Sequence, residues 1–296
     1  MNTTTPPFEF GKKTYVMGIL NVTPDSFSGD GLISREDTVR AALEQAQRFV
    51  EAGADILDIG GESTRPGATV VDEREELARV LPVIEALRNS GITTLLSIDT
   101  YKAKVAEAAL QHGADWINDV WALRADPQMG RVAASRQVPV ILMHNRSKPA
   151  HAELQQRLGG RYTGVDYHHL VEDVREELLW SVALAHEAGI ADSRIILDPG
   201  IGFGKTVEQN LELVNRLDEI KSLGYPLLLG ASRKSFIGYT LDLPPEERVE
   251  GTAAVCAIGI ARGADIIRVH DVEVMVRVAR MADAVVRQET PSLPGS

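Results

Sequence analysis

A short motif that recurs along the chain constrains the fold more than any other feature. Gly-Ala-Asp followed by apolar residues occurs at 53–58, 113–118 and 263–268, and a looser copy occupies 189–198. Each copy follows a stretch rich in Ala, Glu and Arg with helical periodicity. The glycine is typical of the residue that ends a helix with positive φ, and the apolar run is typical of a buried strand. The repeated unit is therefore a helix, a tight turn and a strand.

Eight apolar runs can form buried strands, and amphipathic stretches separate them. The predicted strands are Tyr15–Leu20, Ile56–Gly60, Leu95–Asp99, Trp116–Asn118, Val138–His144, Ile195–Asp198, Pro226–Gly230 and Ile266–His270. The predicted helices are Arg35–Ala52, Asp72–Asn89, Lys102–His112, Asp166–Ala188, Val207–Leu223, Glu246–Arg262 and Val272–Gln288. Strands that alternate with helices indicate a parallel sheet, and eight of them predict an α/β fold of the closed (β/α)8 TIM-barrel type. An open doubly wound sheet is the alternative, but no Gly-x-Gly-x-x-Gly turn follows the first strand.

The length agrees with one such barrel. The chain has 296 residues, and eight βα units need about 250. Segments with linker composition occur only at the two ends, at 3–7 and 291–296. We therefore expect a single domain over 1–296, with a short N-terminal extension and a core at 14–288.

Composition excludes several classes of protein. The 31 basic and 42 acidic residues give a net charge of −11, which argues against a nucleic-acid-binding face. A single cysteine, Cys256, excludes a disulfide framework or a thiolate metal site, and its apolar neighbours predict a buried side chain. There is no signal-peptide pattern, and no apolar run approaches the ~18 residues of a membrane span. The expected location is the cytoplasm.

Polar residues follow the predicted strands, and in a TIM barrel those strand ends meet on one face that forms the active site. In chain order they are Asn21, Glu62 and Thr64, Asp99, Asn118, His144, Asp198, Lys234, and Arg268 with His270. The convergence of eight polar strand ends favours a functional site over a plain surface, although His144 fits a site wall and a structural histidine equally well.

The chemistry of these strand ends indicates two halves. Asp99, Asn118 and Asp198 suit the donor and acceptor edge of a flat heterocycle. Arg268 and His270 lie two apart on one strand and, with Lys234, suit a phosphate or diphosphate. Asn21 offers a neutral oxygen that could complete a Mg²⁺ shell made mainly of water and ligand phosphate.

Two loops have the glycines that are typical of a mobile lid. The loops, at 21–31 and 60–67, carry Phe27 and Arg65, side chains that are unusual in solvent-exposed loops without a function.

Two further motifs do not fit the sites that they resemble. The segment 199–206 ends like a Walker loop, but Pro199 replaces its first glycine. His168 and His169 lack a third ligand at usable spacing, and we expect solvated helix residues.

Taken together, the motifs resemble those of the dihydropteroate synthase family. The resemblance covers residues 14–285. It rests on the segments Met17–Ser28, Asp58–Gly67, Ser97–Thr100, Ile117–Asp119, Asp198–Lys205, Gly230–Ser235 and Arg268–Asp271. One departure is visible: the first loop has Ser28-Gly29-Asp30-Gly31 where the family usually has Ser-Asp-Gly-Gly, so no role is assigned to Asp30.

The resemblance implies a reaction in which 4-aminobenzoate joins 6-hydroxymethyl-7,8-dihydropterin diphosphate to give 7,8-dihydropteroate and diphosphate. It implies that Asp99, Asn118 and Asp198 hold the pterin, with Lys234 beside the ring as a pairing and stacking residue. The residues implied to bind diphosphate with Mg²⁺ are Asn21, Arg268 and His270. The residues implied to border the aminobenzoate subsite are Phe27, Thr64, Arg65, Pro66 and Ser235. A homodimer is also implied.

The expected mechanism is a dissociative displacement, in which diphosphate leaves before the arylamine attacks. Arg268 and His270, with Mg²⁺, are expected to stabilise the leaving group, and Asp99 and Asp198 the cationic pterin. Two alternatives remain at this stage. One is a pterin-binding methyltransferase barrel that donates to a corrinoid, and the other is a non-catalytic paralogue that only binds pterin.

Overall fold

The computed structural model describes residues 8–23, 35–63, 70–163 and 165–287, and its main sheet is a parallel barrel. The eight barrel strands are β1 (Tyr15–Asn21), β2 (Ile56–Gly60), β3 (Leu95–Asp99), β4 (Trp116–Asp119), β5 (Val140–Met143), β8 (Ile195–Asp198), β9 (Leu228–Leu229) and β10 (Ile266–Val269). The barrel closes between β8 and β9, where Leu197 bridges Leu227 and its N–H donates to Pro226 O at 2.9 Å. The predicted TIM barrel is confirmed.

Helices cover the outside of the barrel. They are α1 (Arg35–Ala52), α2 (Glu73–Asn89), α3 (Ala103–Gln111), α4 (Met129–Arg136), α5 (Leu170–Glu187), α6 (Val207–Asn215), α7 (Leu217–Lys221), α8 (Ser235–Leu241), α9 (Val249–Ala261) and α10 (Val272–Val286). The start of α6 is fixed by a capping box, because Thr206 and Gln209 each accept the other's main-chain N–H. None of the helices that the structure describes is long and apolar enough to cross a membrane.

Several elements differ from the predictions. The single helix predicted over 207–223 breaks at Arg216, which ends α6 and begins α7. Helices α4 and α8 were not predicted. An antiparallel hairpin of β6 (Ala152–Gln155) and β7 (Gly159–Tyr162) was also missed, and it lies between β5 and α5. The predicted strands over 138–144 and 226–230 shorten to β5 and β9.

The inner face of the barrel is apolar at its amino-terminal end. Alternate strand residues form this cluster: Tyr15, Met17, Ile56, Leu95, Trp116, Ile141, Ile196, Leu228 and Ile266. Phe8 and Phe10 pack beneath it, and the Phe8 ring lies 4.2 Å from the Tyr15 ring and 5.0 Å from the Trp116 ring, measured between centroids. Below the mouth, the barrel is therefore closed by aromatic side chains.

The strand register sets which polar residues meet at the other end. Asn21 pairs in register with Gly60, Gly60 with Asp99, and Asp99 with Asn118. Asp58 lies one inward-facing position below Gly60, because inward residues alternate along a strand. The layer of polar residues therefore stands directly on the apolar one. On the outer face, the single cysteine, Cys256, is buried on α9 as predicted.

Candidate functional site

Arg268 is at the centre of the polar layer and joins three strands. It projects from β10, and its Nε donates to Asp58 Oδ2 at 2.5 Å while its Nη2 donates to Asp99 Oδ2 at 2.6 Å. Asn118 Nδ2 donates to the same Asp58 oxygen at 3.0 Å. Asp58 is completely buried and Asn118 nearly so. We call these four residues the Arg268 cluster.

Burial and charge act against each other in the Arg268 cluster. Burial alone would lower the pKa of Arg268, but Asp58 and Asp99 outweigh it and hold the guanidinium charged. Burial raises the pKa of Asp99 to about 7, although the charge of Arg268 opposes the rise. Asp58 also raises it. Protonation of Asp99 would remove its charge from the pair with Arg268.

Asp58 was not predicted as a site residue, although the sequence contained a signal. It interrupts the apolar run of β2, and a charge within a buried strand requires a partner. Among the described residues, its second oxygen, Oδ1, has no hydrogen-bond partner. This oxygen can therefore accept a hydrogen bond from a bound group.

Asp198 ends β8 and is buried, and the chain turns sharply after it. Its Oδ1 accepts the N–H of Gly200 at 2.7 Å, which opposes the increase that burial causes in its pKa. Gly200 has a φ of +69°, and a Cβ there would lie 1.8 Å from His144 O, so glycine is required. A Cβ at Gly230 would lie 3.7 Å from Asp198 Oδ2 and 4.0 Å from Arg268 Cβ. Asp198 therefore faces the same mouth as the Arg268 cluster.

Lys205 holds the loop after β8. It is buried, and its Nζ donates to Gly200 O at 2.9 Å and to Phe203 O at 3.1 Å. His144 Nδ1 lies 2.9 Å from the same Nζ, and burial lowers the pKa of His144 to about 3. His144 Nε2 lies 3.1 Å from Glu177 Oε2, without the alignment of a hydrogen bond. His144 is therefore a structural residue, and Lys205 holds main chain rather than phosphate, in agreement with the rejection of a Walker loop.

Lys234 lies between the loop after β8 and the start of α8. Its Nζ is 4.1 Å from the centroid of the Phe203 ring and donates to Ile201 O. A Cβ on Gly202 would lie 2.7 Å from Lys234 Cδ, so the loop is in close contact with the lysine stem. Ser235 follows as the first residue of α8, and both side chains are half-buried. A flat ligand above the Arg268 cluster would be bordered by this lysine.

His270 follows β10 and is tied to the segment that carries Lys234. Its main-chain N–H donates to Ser232 Oγ at 3.1 Å, and its Nδ1 lies 3.0 Å from the same oxygen. This contact joins the end of β10 to the residues after β9. His270 is half-buried and lies two positions beyond Arg268, as predicted.

Asn21 ends β1 with a half-buried side chain, on the inward face that Tyr15 and Met17 share. Glu62, which follows β2, is held by Lys102 Nζ and by the Tyr101 hydroxyl at 3.0 Å. The predicted residues Phe27, Thr64, Arg65 and Pro66 lie outside the described residues. His168 and His169 are exposed and precede α5 rather than lying within it.

The structure brings Asp99, Asn118, Asp198, Lys234, Arg268 and His270 to one barrel mouth. Arg268, which was predicted to bind an anion, pairs with Asp58 and Asp99, a contact that was not predicted. The physical reason is the register. Arg268 belongs to a lower level of β10, in register with Met17, and its side chain extends along the barrel interior into the acidic layer. The acidic and cationic groups are therefore one connected unit.

Comparisons with known proteins identify the family of this chain. Residues 17–270 match the model of the family described as pterin binding enzyme. The chain is 49% identical over 282 residues to a dihydropteroate synthase from Clostridium beijerinckii, covering 95% of this chain and 97% of that protein.

Solved structures are similarly close. A dihydropteroate synthase from Clostridium difficile with pteroic acid has a TM-score of 0.85 and 47% identity, covering 95% of this chain and 99% of the other. One from Xanthomonas albilineans with 4-aminobenzoic acid has a TM-score of 0.83 and 43% identity, covering 94% of each chain. These matches favour a synthase over the methyltransferase and the non-catalytic paralogue. The chain therefore belongs to the dihydropteroate synthase family of pterin-binding enzymes, transferases of folate synthesis.

Proposed function

We propose that the barrel mouth joins 6-hydroxymethyl-7,8-dihydropterin diphosphate to 4-aminobenzoate, giving 7,8-dihydropteroate and diphosphate. The observation that carries this proposal is the Arg268 cluster, where buried carboxylates and an amide surround one guanidinium at the base of the mouth. Relatives solved with pteroic acid and with 4-aminobenzoic acid support the two ring systems.

The pterin end of the proposed site uses buried oxygens and an amide. A pterin edge presents ring N–H and amino donors beside a carbonyl acceptor, and Asp99, Asn118 and Asp198 offer matching groups. Asp58 holds the amide of Asn118 in place through its 3.0 Å hydrogen bond. Lys234 borders the ring, with its ammonium already 4.1 Å from the Phe203 ring centroid. The substrate has no ketone or aldehyde, so Lys234 acts by charge and packing and forms no Schiff base.

The diphosphate end of the proposed site uses Arg268 and His270. Arg268 lies on β10 and His270 follows that strand, and a guanidinium suits the paired oxygens of a phosphate. Arg268 would bind Asp58, Asp99 and the leaving group at the same time. Negative charge that develops on diphosphate would therefore change the electrostatic interaction of Arg268 with the two aspartates.

The chemistry of the donor set fits a Mg²⁺ ion that arrives with the substrate. Among the residues that the structure describes, no group of three or more His, Cys, Asp or Glu side chains can hold a metal. Mg²⁺ commonly keeps several waters and binds substrate phosphates with only one or two protein ligands. The Asn21 amide oxygen would be such a ligand. When bound, the ion neutralises charge on the leaving diphosphate.

The proposed chemical step is a dissociative displacement. The bond between the methylene carbon and the bridging oxygen breaks, and its electron pair leaves with diphosphate. The cation that remains is shared with the reduced pterin ring, where Asp99 and Asp198 stabilise it. The amine of 4-aminobenzoate then attacks the methylene carbon and loses a proton to water. Ser235, with Phe27, Thr64, Arg65 and Pro66, would border the attacking amine and act through proximity.

A coupled assay for dihydropteroate tests the overall reaction, with and without Mg²⁺ and with Asn21→Ala. The proposal requires turnover that depends on both substrates and on Mg²⁺, and a higher Mg²⁺ requirement for the variant. Positional isotope exchange tests the order of bond breaking. Without the amine, ¹⁸O in the bridging position should scramble within retained diphosphate, and retained diphosphate without scrambling would contradict the dissociative step.

We also propose a homodimer that acts in the cytoplasm. Ile258 on α9 and Met281 and Val285 on α10 are large apolar side chains exposed on two helices in contact. A second copy would cover them. A buried free cysteine also agrees with a reducing compartment. Light scattering should give the mass of two chains, and Met281→Glu should lower it if these helices form the interface.

A further inference from the structure

Arg233, the residue before Lys234, adopts an unusual backbone conformation. Its φ is +55°, in the left-handed region that few residues other than glycine populate. Such a conformation is strained for a residue with a Cβ atom and persists only where the surroundings enforce it. The direction in which the chain leaves Arg233 sets where Lys234 and the first turn of α8 lie.

All the polar groups of Arg233 are held by neighbours. Its carbonyl accepts Arg248 Nη1 at 2.9 Å, and its N–H donates to Thr252 Oγ1 at 3.0 Å. Its own guanidinium pairs with Asp271, with the Nε to Oδ2 distance at 2.9 Å. Asp271 directly follows His270, so these contacts join the segment that carries Lys234 to the segment that carries His270. We call the contacts from Arg248, Thr252 and Asp271 the Arg233 clamp.

Arg248 is the most buried member of the Arg233 clamp and connects it to two more segments. It is 1% exposed, and its Nε donates to Leu243 O at 3.0 Å and its Nη2 to Leu158 O at 3.1 Å. A Cβ on Gly238 would lie 2.1 Å from Arg248 Nη2, so α8 packs directly on the guanidinium. Leu158 lies between β6 and β7. One side chain therefore fixes both ends of α8 and the hairpin beside it.

We propose that Arg248 is a positioning residue that sets Lys234 and Ser235 for substrate through the Arg233 clamp. This inference rests on the proposed function, because those two residues are assigned to substrate there. A planar guanidinium can donate in several fixed directions, whereas a lysine ammonium on a flexible stem cannot reproduce them. Arg248→Lys therefore keeps the charge and removes the geometry.

The test compares Arg248→Lys and Thr252→Val with a matched control, Arg88→Lys. Arg88 also holds main-chain carbonyls, those of Gly113, Ile92 and Thr94, but at the amino-terminal end of the barrel. The thermal midpoint of each variant is measured first. The kcat, the KM for both substrates and the affinity for pteroic acid are then measured well below that temperature. We expect Arg248→Lys and Thr252→Val to weaken pteroic acid binding and to lower kcat/KM by about 10-fold to 100-fold, since small misplacements near the reacting groups have effects of this order. We expect Arg88→Lys to lower only the thermal midpoint.

Wild-type affinity and kcat/KM in both clamp variants would overturn the inference, as would an equal loss of kcat/KM in Arg88→Lys. Should Arg248→Lys fail to fold, the kinetics of Thr252→Val decide the question alone. Wild-type turnover is measured first. Its absence would refute the proposed reaction, while the pteroic acid affinities of the variants would still test the clamp.

Discussion

Replacing Asp58 with Asn is the sharpest test of how the Arg268 cluster works. The Oδ2 atom of Asp58 accepts both Arg268 Nε at 2.5 Å and Asn118 Nδ2 at 3.0 Å in a completely buried position. Asparagine has the same size but no charge, and one of its two polar ends is a donor. At least one of the hydrogen bonds from Arg268 and Asn118 would then become weaker, or its donor would face the new amide N–H.

The magnitude follows from burial. Removing one partner of a buried ion pair typically costs about 3–5 kcal/mol. Arg268 keeps Asp99 at 2.6 Å, so we take the lower end, about 3 kcal/mol. At 2–4 °C per kcal/mol for a large domain, the thermal midpoint should fall by about 6–12 °C. Because Arg268 also loses its orientation, kcat/KM should fall about 100-fold.

Calorimetry and steady-state kinetics measure the two effects, and Asp55→Asn is the control. Asp55 lies three residues before Asp58, at the amino-terminal end of β2. It accepts the Val16 N–H at 2.9 Å and pairs with Lys13. This control should lose stability but keep kcat/KM. An Asp58→Asn enzyme with wild-type midpoint and wild-type kinetics would show that the Arg268 cluster does not depend on this carboxylate.

Three further predictions concern pH, the cysteine and a glycine. Burial raises the pKa of Asp99 to about 7, and its ionised form pairs with Arg268. The value of kcat/KM should therefore fall as the pH is lowered through about 7. If an Asp99→Asn variant showed the same fall, Asp99 would be excluded as its source. Burial raises the pKa of Cys256 to about 12, so a thiol reagent at neutral pH should modify it only after denaturation, and rapid labelling of native enzyme would disprove this. Gly200→Ala should prevent folding, because its Cβ would lie 1.8 Å from a carbonyl oxygen. Gly159 is also at positive φ but has open space around it, so Gly159→Ala should cost about 1 kcal/mol. Similar thermal midpoints for the two variants would contradict the steric argument.

The sequence was sufficient to predict the barrel because four of its buried strands, β2, β4, β8 and β10, follow a glycine that ends a helix. The strands β2, β3 and β8 have their predicted bounds. The break at Arg216 could not be seen, because Leu213 before it and Leu217 after it keep the same buried face. The hairpin of β6 and β7 was missed because its strands have only four residues each, and β7 begins with two glycines, which have a low strand propensity.

The strand-end residues of the site were predictable, but their connections were not. Polar residues at strand ends identify the mouth, since all parallel strands of a barrel end on one face. The pairing of Asp58 with Arg268 spans 210 positions and depends on the register of strands that are distant in sequence. For the same reason the contact between the acidic and cationic groups was not predicted. The buried Lys205 and His144 are mutual partners across 61 positions, which no local pattern reveals.

The aromatic floor formed by Phe8, Tyr15 and Trp116 has a kinetic consequence. Because the barrel is closed at that end, reactants and products must enter and leave at the opposite end. In the proposed binding mode the pterin lies beside Asn118, below the subsites for diphosphate and 4-aminobenzoate. We therefore expect a pterin compound to bind before 4-aminobenzoate, and dihydropteroate to leave before the next turnover begins.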